Sequence, residues 1–167
     1  MADLELGRGT LTRVLVISDT HGEIAKIEDV LKKESGNYDI CFHLGDRSWD
    51  MRPFRSSIER LVQVKGNIEA DMQGPTEFGY EYINSIEGLR VMAAHGHQYS
   101  VHFTMSFIRK AAQKKNIGLV LYGHTHLKDY TEDEGIVYFN PGALKSSEYG
   151  FLCIDKGRVV QYRHSAV

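Results

Sequence analysis

The chain has 167 residues, 42% of them hydrophobic and 25% charged, which is enough for one well-filled core and too little for two large ones. Lys+Arg 20 against Asp+Glu 22 leaves a formal net charge of −2; no global field draws such a chain onto nucleic acid or an anionic bilayer, and neither partner is expected. No apolar run approaches the ~20 residues of a membrane span, and the opening Met-Ala-Asp-Leu-Glu-Leu-Gly-Arg-Gly lacks the order of a secretory signal, so a cytoplasmic setting is expected.

The chain reads as one domain over 1–167, with 1–9 as a flexible tail. Thr12 to Ser18 is rich in β-branched residues and predicts a buried strand. Glu23 to Lys33 then places Ile24, Ile27, Val30 and Leu31 at helical spacing, with lysines in the last turn and Ser35-Gly36-Asn37 as a stop. Tyr38 to Leu44 and Leu61 to Val64 predict two further strands, separated by a polar stretch with a short helix starting near Pro53. Tyr80 to Ile86 and Leu89 to Ala94, joined by Glu87-Gly88, predict a hairpin. Phe103 to Lys115 reads as a helix with Phe103, Phe107, Ile108 and Ala111 on one face, followed by a strand from Ile117 to Tyr122. Beyond Asp129 only strands are expected: Tyr130-Thr131, Ile136 to Phe139, Tyr149 to Ile154 and Val159 to Arg163. An α/β front with a strand-rich back predicts sheets packed in layers and flanked by helices.

Each expected core strand ends in polar groups able to bind metal. Ser18-Asp19-Thr20-His21-Gly22 follows the first, Gly45-Asp46 the second, Lys65-Gly66-Asn67 the third, His95-Gly96-His97 the hairpin and Gly123-His124-Thr125-His126 the strand after the second helix. If parallel strands share one rim, these clusters converge where open α/β sheets bind ligands. The pairs Asp19/His21 and His124/His126 are spaced i, i+2, which on extended backbone points both side chains one way and lets each pair chelate an ion. Asp46 has two oxygens to bridge cations, and the bare Gly45 before it suggests close approach of a metal or substrate. Imidazole and carboxylate donors without thiolate point to Mn, Fe, Zn, Ni or Co. Cys41 and Cys153 lie in apolar runs and are expected to be buried structural thiols. No Gly-x-Ser-x-Gly elbow and no phosphate-binding Gly-x-x-x-x-Gly-Lys motif occurs.

The ordered series Asp-x-His, Gly-Asp, Gly-Asn, His-Gly-His and Gly-His-x-His resembles the calcineurin-like metallophosphoesterase superfamily, specifically its small uncapped phosphodiesterases, to which a retromer subunit of the same fold is also similar. The match runs from Asp19 to about Gly142. The resemblance implies an α/β fold, a four-layer α/β/β/α sandwich of two mixed sheets flanked by helices. It implies one metal on Asp19, His21, Asp46 and His126, and a second on Asp46, Asn67, His95 and His124, with Asp46 as bridge and manganese as the expected ion. The implied reaction is hydrolysis of a small phosphate ester, a diester before a monoester, by in-line attack of a metal-bridging hydroxide, with Asp46 and Asn67 in the catalytic set. A partner-binding module of the same fold and a phosphomonoesterase are the alternatives, and a homo-oligomer is compatible with either.

Two departures stand out. Many relatives carry a proton-donating histidine after the Gly-Asn asparagine; here Ile68 and then Glu69 follow. His97 is the expected substitute, and weaker action on poor leaving groups is expected, because general acid catalysis contributes ~10²–10⁴-fold. In Asn140-Pro141-Gly142-Ala143, alanine replaces the family's serine, and the turn is read as architectural support for the metal-bearing loops. Arg47, Trp49, Arg52 and Arg55 are candidates for lining the substrate approach, His43 for a residue of the core, His102 for a helix start and His164 for the tail.

Overall fold

The computed structural model describes residues 11–71 and 77–167; the segment read as a tail lies outside them. One sheet contains β1 (Thr12–Ile17), β2 (Ile40–His43), β3 (Leu61–Gln63), β9 (Glu148–Asp155) and β10 (Arg158–Ala166), in the order β10-β9-β1-β2-β3. The other contains β4 (Glu81–Ile86), β5 (Leu89–Ala94), β6 (Leu119–Tyr122), β7 (Lys128–Asp133) and β8 (Ile136–Pro141), in the order β4-β5-β6-β8-β7. β1, β2 and β3 run parallel in the first sheet, as do β5, β6 and β8 in the second, and antiparallel strands complete both.

Period-two alternation builds the layers. Val14 and Val16 of β1 and Phe42 of β2 pack against Val91, Ala93, Leu119, Leu121 and Phe139 of the opposite sheet, which forms the central core. Leu15, Ile17 and Cys41 point the other way, onto Ile27 and Val30 of α1 (Ile24–Lys33) and Met51 of the 3₁₀ segment Ser48–Ser57. Met92, Val120 and Tyr122 face Ile108 and Ala112 of α3 (Ser106–Lys114). Both faces of each sheet are thus covered, giving the expected four layers, and each buried aliphatic side chain contributes about 1.5–3 kcal/mol. Both cysteines are buried and free, and burial pushes the Cys41 thiol up to about 12.

The structure corrects several local expectations. The helix after the hairpin starts at Ser106 rather than Phe103 because the Ser100 carbonyl accepts from the amides of Phe103 and Thr104, turning the chain before the helix begins. Its buried face is therefore Ile108 with Ala112, while Phe103 and Phe107 are 88% and 55% exposed. The short helix expected near Pro53 is a ten-residue 3₁₀ run, and Asn67–Asp71 forms an unforeseen short helix, α2. His164 is no loose tail residue: it lies on β10, stacks on Phe139 and places Nε2 2.8 Å from the Asn140 carbonyl. Among the described residues, no helix is long and apolar enough to cross a membrane.

Candidate metal centre

The ligand-bearing loops lie at the carboxyl ends of parallel strands of both sheets, not along the rim of a single sheet; hydrogen bonds join neighbouring loops within each sheet and also cross between the sheets. The Asp19 amide donates to the Gly45 carbonyl (3.1 Å), the Gly123 amide to the His95 carbonyl (3.0 Å) and the His124 amide to Asp19 Oδ2 (3.2 Å). Within this frame Asp19, His21 and His126 bring ligand atoms within 4.8 Å of one another, and so do Asp19, Asp46 and His95. His95 Nε2 is 3.1 Å from Asn67 Oδ1, and the His124 ring is 5.0 Å from the His95 ring. All seven expected ligands therefore gather, but His124 and His126 diverge, His126 toward Asp19 and His124 toward His95, so this i, i+2 pair does not form a chelate of its own. Asp46 turns Oδ1 to His95 (3.5 Å) and Oδ2 to His21 (3.9 Å). Asp19, and not Asp46, belongs to both groups, a centrality that the spacing alone does not reveal.

Whether this donor set suits cations is answered by its unpaired atoms. The Leu44 carbonyl, which can only accept, lies 2.7 Å from His95 Nδ1, so a neutral His95 carries its proton there. Its bare Nε2 then faces the oxygens of Asn67, Asp46 and Asp19 at 3.1, 3.5 and 3.9 Å. A positive charge among them would reconcile these converging lone pairs. His21 Nε2 is likewise buried without a hydrogen bond, whereas Asp19 Oδ1 faces His126 Nε2 at 3.2 Å and His95 Nε2 at 3.9 Å; a buried polar atom left unmet costs about 1–3 kcal/mol unless something is bound to it. The chemistry of this donor set fits divalent cations.

The backbone departs from expectation. Asp19, His21, Asp46, His124 and His126 all have positive φ, between 47° and 67°. These ligands converge through left-handed turns rather than along extended chain, and such conformations persist only where surrounding bonds enforce them. Gly45 serves this packing and not close substrate approach: at φ +102°, a Cβ there would lie 2.6 Å from the Gly66 amide nitrogen and 2.9 Å from His95 Nδ1.

Two buried carboxylates outside the expected site do the enforcing. Glu69 accepts from the amides of Asp46 (3.1 Å), Gly66 (3.0 Å) and Ser48 (2.5 Å). Asp50 accepts from the Thr20 hydroxyl (2.9 Å) and the Gly22 amide (2.7 Å), bracketing His21. Asn140 donates to the Gly123 carbonyl and Thr125 Oγ1 and accepts from the Gly142 amide, so the Asn-Pro-Gly turn is architectural as expected. Asp50 carries no signal in the sequence beyond being a carboxylate in a polar stretch; Glu69 stood beside the Gly-Asn motif but had no partner there to reveal its use.

Burial raises the Asp19 carboxyl, but His126, His95 and the Ser18 hydroxyl more than reverse this and hold it below its ordinary value. Burial lowers both His124 and His97, a direction that favours the neutral imidazole a metal ligand needs at His124. His126 is raised by Asp19. His43, wholly buried beneath the site, is pushed down by burial to about 4. A base depressed in the folded state stabilises the fold above its ordinary pKa of 6.5, and that contribution is lost as pH falls toward 4. Denaturant unfolding should show His43→Asn losing less stability than the parent between pH 7 and pH 4, by on the order of 3 kcal/mol; equal losses would mean that His43 is not buried neutral.

A cavity of about 480 Å³ opens over the cluster, lined by His21, Asp46, Asn67, His124 and His126 together with Ile68, His102, Phe103 and Thr125. His97 is not in that lining; its ring lies 5.4 Å from that of His95 and 6.2 Å from that of His124, with Nδ1 buried and unpaired. Of the basic stretch after Asp46, only Arg47 comes near, packing over Gly22 and paired with Asp50 at 3.4 Å. Trp49, Arg52 and Arg55 instead line a separate small cavity with Glu69 and Glu77, and Arg55 is paired with Glu77 there. His102 was read as a helix start, yet it precedes α3 and walls the metal cavity.

Comparison with known proteins agrees with this architecture. Residues 12–155 match the calcineurin-like phosphoesterase superfamily domain. The probable metallophosphoesterase YsnB of Bacillus subtilis is 26% identical over 132 residues, covering 79% of this chain and 75% of that protein. A solved archaeal phosphodiesterase superposes with a TM-score of 0.75 at 20% identity, covering 93% of this chain and all of its own (100%). Vacuolar Protein Sorting 29 of Cryptosporidium parvum superposes with a TM-score of 0.74 at 12% identity, covering 94% of this chain and 99% of its own. The two sheets with their flanking helices and the polar rim define a metallophosphatase fold. The chain belongs to the calcineurin-like phosphoesterase superfamily.

Proposed function

We propose that the protein is a phosphodiesterase dependent on two divalent cations, one held by Asp19, His21, Asp46 and His126 and the other by Asp46, Asn67, His95 and His124. The observation that carries this reading is the ring of acceptors, Asn67, Asp46 and Asp19, converging on the bare Nε2 of His95. Cations bound there would supply Lewis acidity toward phosphoryl oxygens and a lowered pKa for water. Asp46, with Oδ1 toward His95 and Oδ2 toward His21, would be the residue shared between the two cations. Asn67, at the start of α2, fixes the His95 side of the cavity, and the Asp46 loop is held by amide hydrogen bonds. Manganese is the proposed ion among those this donor set accepts, and the cytoplasm the proposed setting. The diester preference rests on the likeness to the archaeal phosphodiesterase.

Proton donation to the leaving oxygen is assigned to His97, and it is weak for two reasons. Burial lowers this imidazole, so less of it carries a proton to give, and it does not line the cavity. Ile68, beside the ligand Asn67, has no proton to give. Mn²⁺-loaded protein should therefore hydrolyse bis-p-nitrophenyl phosphate, whose leaving group needs no proton, and far more slowly an alkyl diester. EDTA should abolish both activities, and His97→Ala should slow only the second, by about tenfold or more. Activity that survives EDTA, or His126→Ala with full turnover, would overturn the metal reading; equal loss on both esters would remove His97 as donor. A partner-binding role has the shared fold of Vacuolar Protein Sorting 29 in its favour, but the complete ligand set weighs toward hydrolysis.

A further inference from the structure

The cavity over the metal cluster has an unusual wall for a site that must hold a charged phosphoryl group. Phe103 lines it while remaining 88% exposed, the most exposed large hydrophobic side chain among the described residues. Its backbone is fixed: the Phe103 and Thr104 amides donate to the Ser100 carbonyl at 2.9 and 3.1 Å, and the Val101 amide to the Gly96 carbonyl at 3.4 Å. Leaving that ring in water has no return within the chain itself. The ring is linked to the cluster by aromatic contacts: Phe103 to His102 at 5.5 Å and 87°, then His102 to His124 at 6.1 Å. Ile68 contributes a second apolar side chain to the same lining, at the position where a proton donor was expected. Beyond His102 and Thr125 the cleft continues into a second cavity of about 400 Å³ with Val101, Met105 and Leu127 in its lining. The cationic groups there are already paired, Arg109 with Asp133 at 2.9 Å and Lys128 with Glu148 at 3.1 Å. They leave little charge to attract a second anion.

We propose that Phe103, supported by His102 and facing the same cavity as Ile68, is the specificity-determining platform on which an uncharged, flat aromatic group carried by one ester arm stacks while the phosphoryl group occupies the metal cluster. The inference rests on the metallophosphoesterase reading and deepens it by naming the class of substituent. A nucleoside arm meets these requirements: its base is planar and uncharged, and its sugar spans the step from phosphate to ring. Stacking of a base on an aromatic side chain is sequence-tolerant, so the platform selects for a ring rather than for one base.

The test is calorimetric titration of Mn²⁺-loaded protein with adenosine 5′-monophosphate and with ribose 5-phosphate, which share phosphate and sugar and differ only in the base. The parent should bind the nucleotide about tenfold more tightly. That ratio should collapse toward one in Phe103→Ala and recover in Phe103→Trp. Binding of both ligands with equal affinity would overturn the platform and leave the phosphoesterase reading standing. Failure of both to bind would strike that reading instead. Sedimentation velocity on the same samples covers the remaining explanation: a parent dimer that Phe103→Ala converts to monomer would assign the ring to self-association and overturn the proposal.

Discussion

Asp46→Asn is expected to lower phosphodiester turnover by about 10³-fold or more while the protein still folds. Asparagine preserves the size of the side chain and tolerates the left-handed backbone at this position, where φ is 59°. It also retains an acceptor for the Ile68 amide, which now donates to Asp46 Oδ1 at 3.1 Å. What it removes is the charge and one of two oxygens: with Oδ1 kept for the Ile68 amide, the atom facing His21 becomes a donor where a cation would need an acceptor. The effect should be read as kcat/KM on bis-p-nitrophenyl phosphate, with metal content and circular dichroism on the same preparation. A folded variant that keeps two ions per chain and full turnover would show that Asp46 does not join the two groups, and Asp19, which lies in both, would become the candidate bridge.

How much of this was legible beforehand depends on whether the determining interactions are local. Strand alternation in Val14-Leu15-Val16-Ile17 is written in neighbouring residues, and the structure divides those side chains between two cores as the period requires. The candidate ligands could be picked out because each follows a hydrophobic strand; that the strand ends of two different sheets face one another could not. What was not legible is decided by groups distant in sequence. The left-handed turns at Asp19, His21, His124 and His126 are enforced by partners from other segments, such as the Gly45 carbonyl 26 residues beyond Asp19 and the Asn140 amide that holds the Gly123 loop. Phe103 matched a helical face by spacing, yet the Ser100 carbonyl captured its amide and swung it into the mouth of the site. Nothing in the run Arg47 to Arg55 distinguishes Asp50, which holds Thr20 and Gly22, from the solvated charges around it.

Glu69 presents the same contrast most sharply, and its replacement by glutamine is the second large effect expected. The carboxylate is 2% exposed and accepts three backbone amides from three different stretches of chain, those of Asp46, Ser48 and Gly66. Glutamine fills the same volume but has one oxygen. Its amide group must turn two hydrogens toward amides that also donate, which leaves at least one buried donor unsatisfied at a cost of about 1–3 kcal/mol. The loop carrying Asp46 and the start of the helix carrying Asn67 would then lose their common anchor, and groups that orient metal ligands in this way are typically worth 10–100-fold in metal affinity or activity. The expectation is therefore a paired loss, with the unfolding midpoint of the metal-free protein reduced and Mn²⁺ affinity weakened by about tenfold or more. The pairing separates the two roles that Glu69 could have. A lower midpoint with unchanged Mn²⁺ affinity would make the clasp a folding device alone. A weakened affinity partly restored by Glu69→Asp, which keeps both oxygens on a shorter stem, would show that three amides gathered on one carboxylate hold Asp46 where the cations need it.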